Sequence, residues 1–113
     1  FLDRYGIEVA MMENLPLELP SRRVYPDGSS RMMRRPYYLS YMPRERWALV
    51  FWDRKALIFV RRGTVSSAFL KKTEYRLWRP GDAEARADAL KRKEIDPGRL
   101  ADERDRHRRE LRR

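Results

Sequence analysis

Two apolar runs of strand length lie close together near the middle of the chain, WALVFW (Trp47–Trp52) and ALIFVR (Ala56–Arg61), with Asp53-Arg54-Lys55 between them. Runs this short, divided by three polar residues, predict a β-hairpin over about residues 46–61 with a three-residue turn. Alternation would put Trp47, Leu49 and Phe51 on one face and Ala48, Val50 and Trp52 on the other. Both sets are apolar, so the strand should be covered on two sides, as in the middle of a sheet. IEVAMME (Ile7–Glu13) reads as another strand, and FLDRY before it as the last turn of a helix ending at Gly6.

From Asn14 to Arg46 no period persists. Pro16, Pro20, Pro26, Pro36 and Pro43 argue against a long helix or a central strand. The segment is expected to be a long irregular loop, with a strong turn at YPDGSSR and a short strand or helical turn at PYYLSYM.

After Gly63, VSSAFLKK predicts a short helix with Val65, Ala68 and Phe69 inward and Lys71 and Lys72 at its C-terminal end. TEYRLWRP reads as a final strand or an extended segment over the core. Asp82 is placed to cap a helix from Ala83 to about Glu94 with an inner stripe of Ala83, Ala87 and Leu90. Asp96-Pro97 starts a second helix toward Leu111. Asp88–Arg92, Asp102–Arg106 and Asp105–Arg109 have supportive spacing. Leu100 and Leu111 are nearly the only apolar residues of this last helix, so it should be frayed or docked on a partner.

These elements predict an α+β protein: a small sheet of three or four strands with the hairpin central, and two C-terminal helices. Residues 1–80 would form the core domain, with a basic loop over 14–46, and residues 81–113 a charged helical extension. A chain of 113 residues suits one domain, and its thirteen aromatics argue against disorder. The first residue is Phe, and the chain begins as though mid-element, so it is expected to be a piece of a longer protein. No run has the roughly 20 apolar residues of a membrane-spanning helix.

The net charge of +10 is unevenly distributed. Residues 21–46 hold seven Arg against Asp27 and Glu45, whereas the eleven basic groups after residue 80 are nearly balanced by nine acidic ones. Arg22, Arg23, Arg31, Arg34 and Arg35 with Tyr37, Tyr38 and Tyr41 are therefore the candidate anion- or partner-binding residues. Arginine with aromatics is also the composition of a single-strand nucleic-acid binder, and near a bilayer the same loop would meet anionic head groups.

Catalytic chemistry finds no support. Cysteine is absent, and His107, the single histidine, is expected to be a solvated residue on a charged helix. The glutamates Glu8, Glu13 and Glu18 share neither a strand face nor a helix face. Ser29-Ser30 and Ser66-Ser67 have no nucleophile context, and no Gly-rich phosphate loop occurs. No cofactor or metal is expected.

FLDRYGIEVAMM, a variable loop and then ERWALVFWDRKALIFVRR resemble the C-terminal soluble region of bacterial polytopic membrane proteins related to protein-mannosyltransferase-type glycosyltransferases, which act on lipid-linked sugars. Its pattern is a helix ending in L-x-R/K-Y-G, a strand, and a later W-x-L-V-Y-x-D-x-x-A-x-V-F-V-R hairpin. Leu2, Arg4, Tyr5 and Gly6 match the first part. Trp47, Leu49, Val50, Asp53, Ala56, Phe59, Val60 and Arg61 match the second, with Phe51 at its aromatic position. The resemblance covers roughly residues 1–62. It implies a non-catalytic extracytoplasmic module at a membrane, docked on its own transmembrane part, an acidic partner, lipid head groups or a lipid-linked acceptor. The family's catalytic acids lie in the membrane portion, and none maps onto this chain. The alternative is a cytoplasmic nucleic-acid-binding domain using the same arginines and tyrosines.

Overall fold

A computed structural model describes residues 8–112. The elements run β1 (Val9–Glu13), β2 (Glu18–Val24), β3 (Ser30–Pro36), α1 (Tyr38–Tyr41), β4 (Trp47–Trp52), β5 (Ala56–Arg61), α2 (Ser67–Thr73), α3 (Ala83–Lys91) and α4 (Pro97–Leu111). The class is α+β, with one antiparallel sheet in the order β1-β5-β4 and a separate two-stranded ribbon, β2-β3. The helix end predicted over residues 1–5 and the break at Gly6 lie outside the described residues.

The β4–β5 hairpin has the expected limits. Its turn needs no glycine because Asp53 organises it: Oδ1 accepts from the backbone N–H groups of Lys55 and Ala56, each at 2.8 Å. β5 is the central strand, and Leu57 and Phe59 on it are fully buried. β4 is an edge strand by sheet order, yet Ala48 and Leu49 are fully buried too. The segment around Tyr75 lies against that edge, its N–H donating to the Leu49 carbonyl at 2.7 Å. TEYRLWRP is thus an extended cover and not a strand.

A bulge between Leu49 and Phe51 corrects the simple alternation of β4. Beyond it Phe51 pairs with Ile58 and Trp52 with Leu57. One extra residue reverses the facing of everything after it. Trp52 therefore joins Trp47 and Leu49 on the core side, while Phe51 turns to the opposite face. The core consists of Tyr37, Tyr38, Leu49, Leu57, Phe59 and Tyr75, with Met12, Leu39, Met42, Trp47, Trp52 and Trp78 packed around it.

The expectation of irregular structure over 14–46 is corrected by the β2–β3 ribbon, which pairs from Glu18↔Pro36 to Val24↔Ser30. Prolines exclude a central strand, but both strands of a two-stranded ribbon are edges, so Pro20 and Pro36 fit. The turn is the predicted one. Gly28 adopts φ 88°, Asp27 Oδ1 accepts from Ser29 N–H at 2.9 Å, and Tyr25 N–H donates to the Ser29 carbonyl at 2.9 Å. The ribbon returns to the sheet through Pro36, which sits so close to Gly81 that a Cβ there would come within 3.2 Å of Pro36 Cβ.

The helices also depart from their predicted stripes. α2 is capped as its sequence indicates, Ser66 Oγ accepting from Phe69 N–H at 3.1 Å, but it buries no residue and leaves Phe69 42% exposed. α3 buries Asp88 and half-buries Ala85 and Ala89, while Ala83 and Ala87 face solvent. α4 starts as expected, with Asp96 Oδ1 accepting from Gly98 N–H at 3.0 Å. Of the predicted pairs Asp88–Arg92 forms, and along α4 the i,i+4 pairs are instead Arg99–Glu103 and Arg106–Glu110.

α4 docks on the rest of the chain through buried polar groups. Glu103 Oε1 accepts from the N–H groups of Leu77 and Trp78 at 2.9 and 3.0 Å. His107, expected in solvent, is 6% exposed. Its Nδ1 accepts from Trp78 Nε1 at 3.2 Å and its Nε2 donates to the Trp52 carbonyl at 2.8 Å. Those partners fix the tautomer, because an indole N–H can only donate and a carbonyl only accept.

Candidate anion-binding surface

The five candidate arginines all lie on the ribbon, and its pleat divides them. Cross-strand partners share a face, and successive residues alternate. Arg23, Arg31 and Arg35 fall on the side of buried Met33, and Arg22 and Arg34 on the side of Met32.

The inner three are matched by carboxylates on or beside α3. Arg23 pairs with Glu94 and approaches Asp88 at 3.9 Å. Arg31 reaches Glu84 and Asp88, each at 3.4 Å. Arg35 forks onto Asp82, with Nε and Nη2 donating at 2.7 and 3.2 Å. Asp82 consequently makes no side-chain cap for α3, a further correction to local reading. Asp88 also accepts from the Tyr25 hydroxyl at 3.1 Å, and the Arg92 guanidinium lies 3.3 Å from the centroid of that ring. These arginines fasten ribbon to helix.

The outer face is open. Arg34 reaches Glu18 at 3.3 Å across the ribbon but keeps most of its side chain in solvent, and Arg22 has no side-chain partner among the described residues. Met32, opposite Arg22, and Val24, one pair nearer the turn on the same face, are 56% and 64% exposed. The result is an apolar strip with two arginines beside it on the ribbon's outer face.

The tyrosines also separate. Tyr37 and Tyr38 are core residues, their hydroxyls donating to the carbonyls of Glu13 and Pro80. Burial raises both phenols, that of Tyr38 strongly. Tyr41 is 69% exposed and makes an edge contact with Tyr37.

A second group of cations joins Arg35 to arginines that the sequence did not single out. Between the ribbon, the Arg76–Leu77 segment and α3 is a cleft of about 390 Å³, lined in part by Arg35, Arg44, Arg76, Arg86 and Asp82. Arg44 donates to the Arg76 carbonyl at 2.8 Å and lies 3.6 Å from Asp82, while Arg86 stacks over Trp78 and donates to the Arg79 carbonyl at 3.2 Å. Arg79 itself is 2% exposed; its Nε donates to the Tyr75 carbonyl, and neither Nη finds a partner among the described residues. Burial, reinforced by the charge of Arg44, holds its guanidinium down to about 10. The sequence marks this region only by its charge, six basic groups against Glu74 over residues 61–80.

Among the described residues there is no group of three or more His, Cys, Asp or Glu placed to hold a metal ion, and no helix is long and apolar enough to cross a membrane. No family model, curated protein or solved structure matches the chain.

Proposed function

We propose that the chain is a non-catalytic interaction domain, the soluble extracytoplasmic part of a bacterial membrane protein, and that the outer face of the β2–β3 ribbon docks an acidic protein surface. The observation that carries the docking reading is the pleat. It commits Arg23, Arg31 and Arg35 to α3 and leaves Arg22 and Arg34 beside exposed Met32 and Val24. An apolar strip with cations at its margin complements a partner presenting apolar anchors inside a carboxylate rim. The membrane setting rests on the resemblance alone, carried by Leu2, Arg4, Tyr5 and Gly6 and by the hairpin pattern from Trp47 to Arg61. A nucleic-acid role draws less support, because stacking on bases needs accessible rings beside the arginines and Tyr37 and Tyr38 are buried.

The test is fluorescence anisotropy with a labelled Asp/Glu-rich peptide containing leucines, run beside a labelled single-stranded oligonucleotide. Docking requires peptide binding that weakens with salt and falls at least about tenfold in the double variant Arg22→Glu, Arg34→Glu, since like charges then face each other. Absence of peptide binding at low salt would end this reading. Oligonucleotide binding lost in Tyr41→Ala would replace it with the nucleic-acid one.

A further inference from the structure

We propose that the arginine-lined cleft between the β2–β3 ribbon and α3 binds a phosphoryl group carried on a small organic body, with Arg44 as its principal contact and the charge of Arg79 acting from outside the lining. This site is separate from the outer ribbon face and does not depend on the docking reading.

Two observations meet here. The lining of the cleft contains five arginines against two carboxylates, an excess of positive charge held in place by short contacts. Outside that lining, Arg79 is a buried guanidinium whose two terminal nitrogens have no acceptor among the described residues. A guanidinium removed from water requires an anion or several acceptors. The carboxylates nearest in effect, Glu74 and Asp82, are engaged elsewhere, Glu74 by Arg62 and Asp82 by Arg35. Arg44 and Asp82 both line the cleft and both act electrostatically on Arg79, so an oxyanion seated against Arg44 also offsets the buried charge of Arg79.

The chemistry favours phosphate over carboxylate. A phosphate monoester offers three terminal oxygens and close to two negative charges to converging guanidinium forks, whereas a carboxylate offers two oxygens and one charge. The cleft is also larger than a bare phosphate requires and has an apolar side of Leu77, Ala85, Ala89 and Ile95 that would hold the attached body.

Thermal unfolding of the whole chain tests this, with sodium phosphate and glycerol phosphate compared against sodium chloride at equal ionic strength. The expected result is a rise in Tm with either phosphate that chloride does not reproduce, because a ligand that binds only the folded state stabilises it. The rise should vanish in Arg44→Gln and in Arg79→Met and persist in Arg22→Gln on the far face. Arg44 is partly exposed, so its variant keeps the test decisive should Arg79→Met fail to fold. Flotation with phosphatidylcholine vesicles, with and without phosphatidic acid, separates the sources. Binding to phosphatidic acid that Arg44→Gln abolishes identifies a lipid head group, and a Tm rise without flotation identifies a soluble ester. An equal rise in phosphate and chloride, or a phosphate-specific rise retained in Arg44→Gln, overturns the proposal. Loss of peptide docking in Arg22→Glu, Arg34→Glu with the phosphate response intact would keep the two sites distinct.

Discussion

The imidazole of His107 stacks on the indole of Trp52, ring centroids 3.8 Å apart and planes inclined by 22°. It also donates to the main chain of that same tryptophan. A helix with almost no apolar residues is thereby fastened to the sheet edge by one aromatic stack and a pair of opposed hydrogen bonds. Trp52 Nε1 in turn donates to the Trp78 carbonyl at 3.0 Å, so the three rings and two backbone segments form one connected network.

His107→Ala should destabilise the protein by about 2–3 kcal/mol, since it removes the stack and leaves the Trp78 indole N–H and the Trp52 carbonyl without partners. Urea unfolding gives the magnitude, and hydrogen exchange should show the amides of α4 losing protection first. His107→Phe retains stacking but not the hydrogen bonds and should fall between the two. An alanine variant as stable as the parent would mean that α4 is held by something other than this network.

Asp88 is the corresponding hub on the other side, receiving Tyr25, Arg31 and Arg92. Asp88→Ala should cost about 2–3 kcal/mol, less than a fully buried pair would, because Arg31 and Arg92 remain partly solvated. Asp88→Asn keeps an acceptor for the Tyr25 hydroxyl and should cost less. Limited proteolysis should cut the Tyr25–Ser29 turn faster in the alanine variant. Unchanged protection there would separate Asp88 from the ribbon's anchorage.

Alkaline pH should probe Tyr38. Burial raises its phenol above the usual value, so the unfolded chain gives up this proton first. Its contribution is fully present below about pH 10 and is lost as pH rises through the folded-state value. Tyr38→Phe lacks the bond to the Pro80 carbonyl and should be about 1 kcal/mol less stable at neutral pH. The gap should narrow above about pH 10, where only the parent carries the cost of keeping a phenol protonated. Urea unfolding at about pH 8 and about pH 11 tests it; a constant gap would contradict the assignment. Arg79, whose guanidinium is lowered, works in the opposite sense in both proteins.

Features governed by neighbours in the chain were legible in the residues. Asp53 sets its own turn, Ser66 and Asp96 cap the helices that follow them, and Gly28 completes the turn after Pro26-Asp27. The β4–β5 strands end where polar residues interrupt the apolar runs. Where local reading failed, a distant partner had outcompeted a near one. Asp82 leaves the start of α3 for Arg35, 47 residues earlier, and His107 finds the Trp52 carbonyl 55 residues away. The candidate site shows the same division. Composition identified the arginine cluster, but it could not tell Arg22 and Arg34 from Arg23, Arg31 and Arg35 without a strand and its register.

The sequence by itself determined an α+β chain with a central hairpin, two C-terminal helices and an excess of arginine before the hairpin. Period, turn chemistry and charge act over a few residues and are written in the residues that carry them. Only the tertiary structure decided which face each arginine presents, that Tyr37 and Tyr38 belong to the core, and that Arg79 is buried while other arginines line an open cleft. A β-strand points successive side chains in opposite directions, and a charge removed from water takes its meaning from whichever group folding brings beside it.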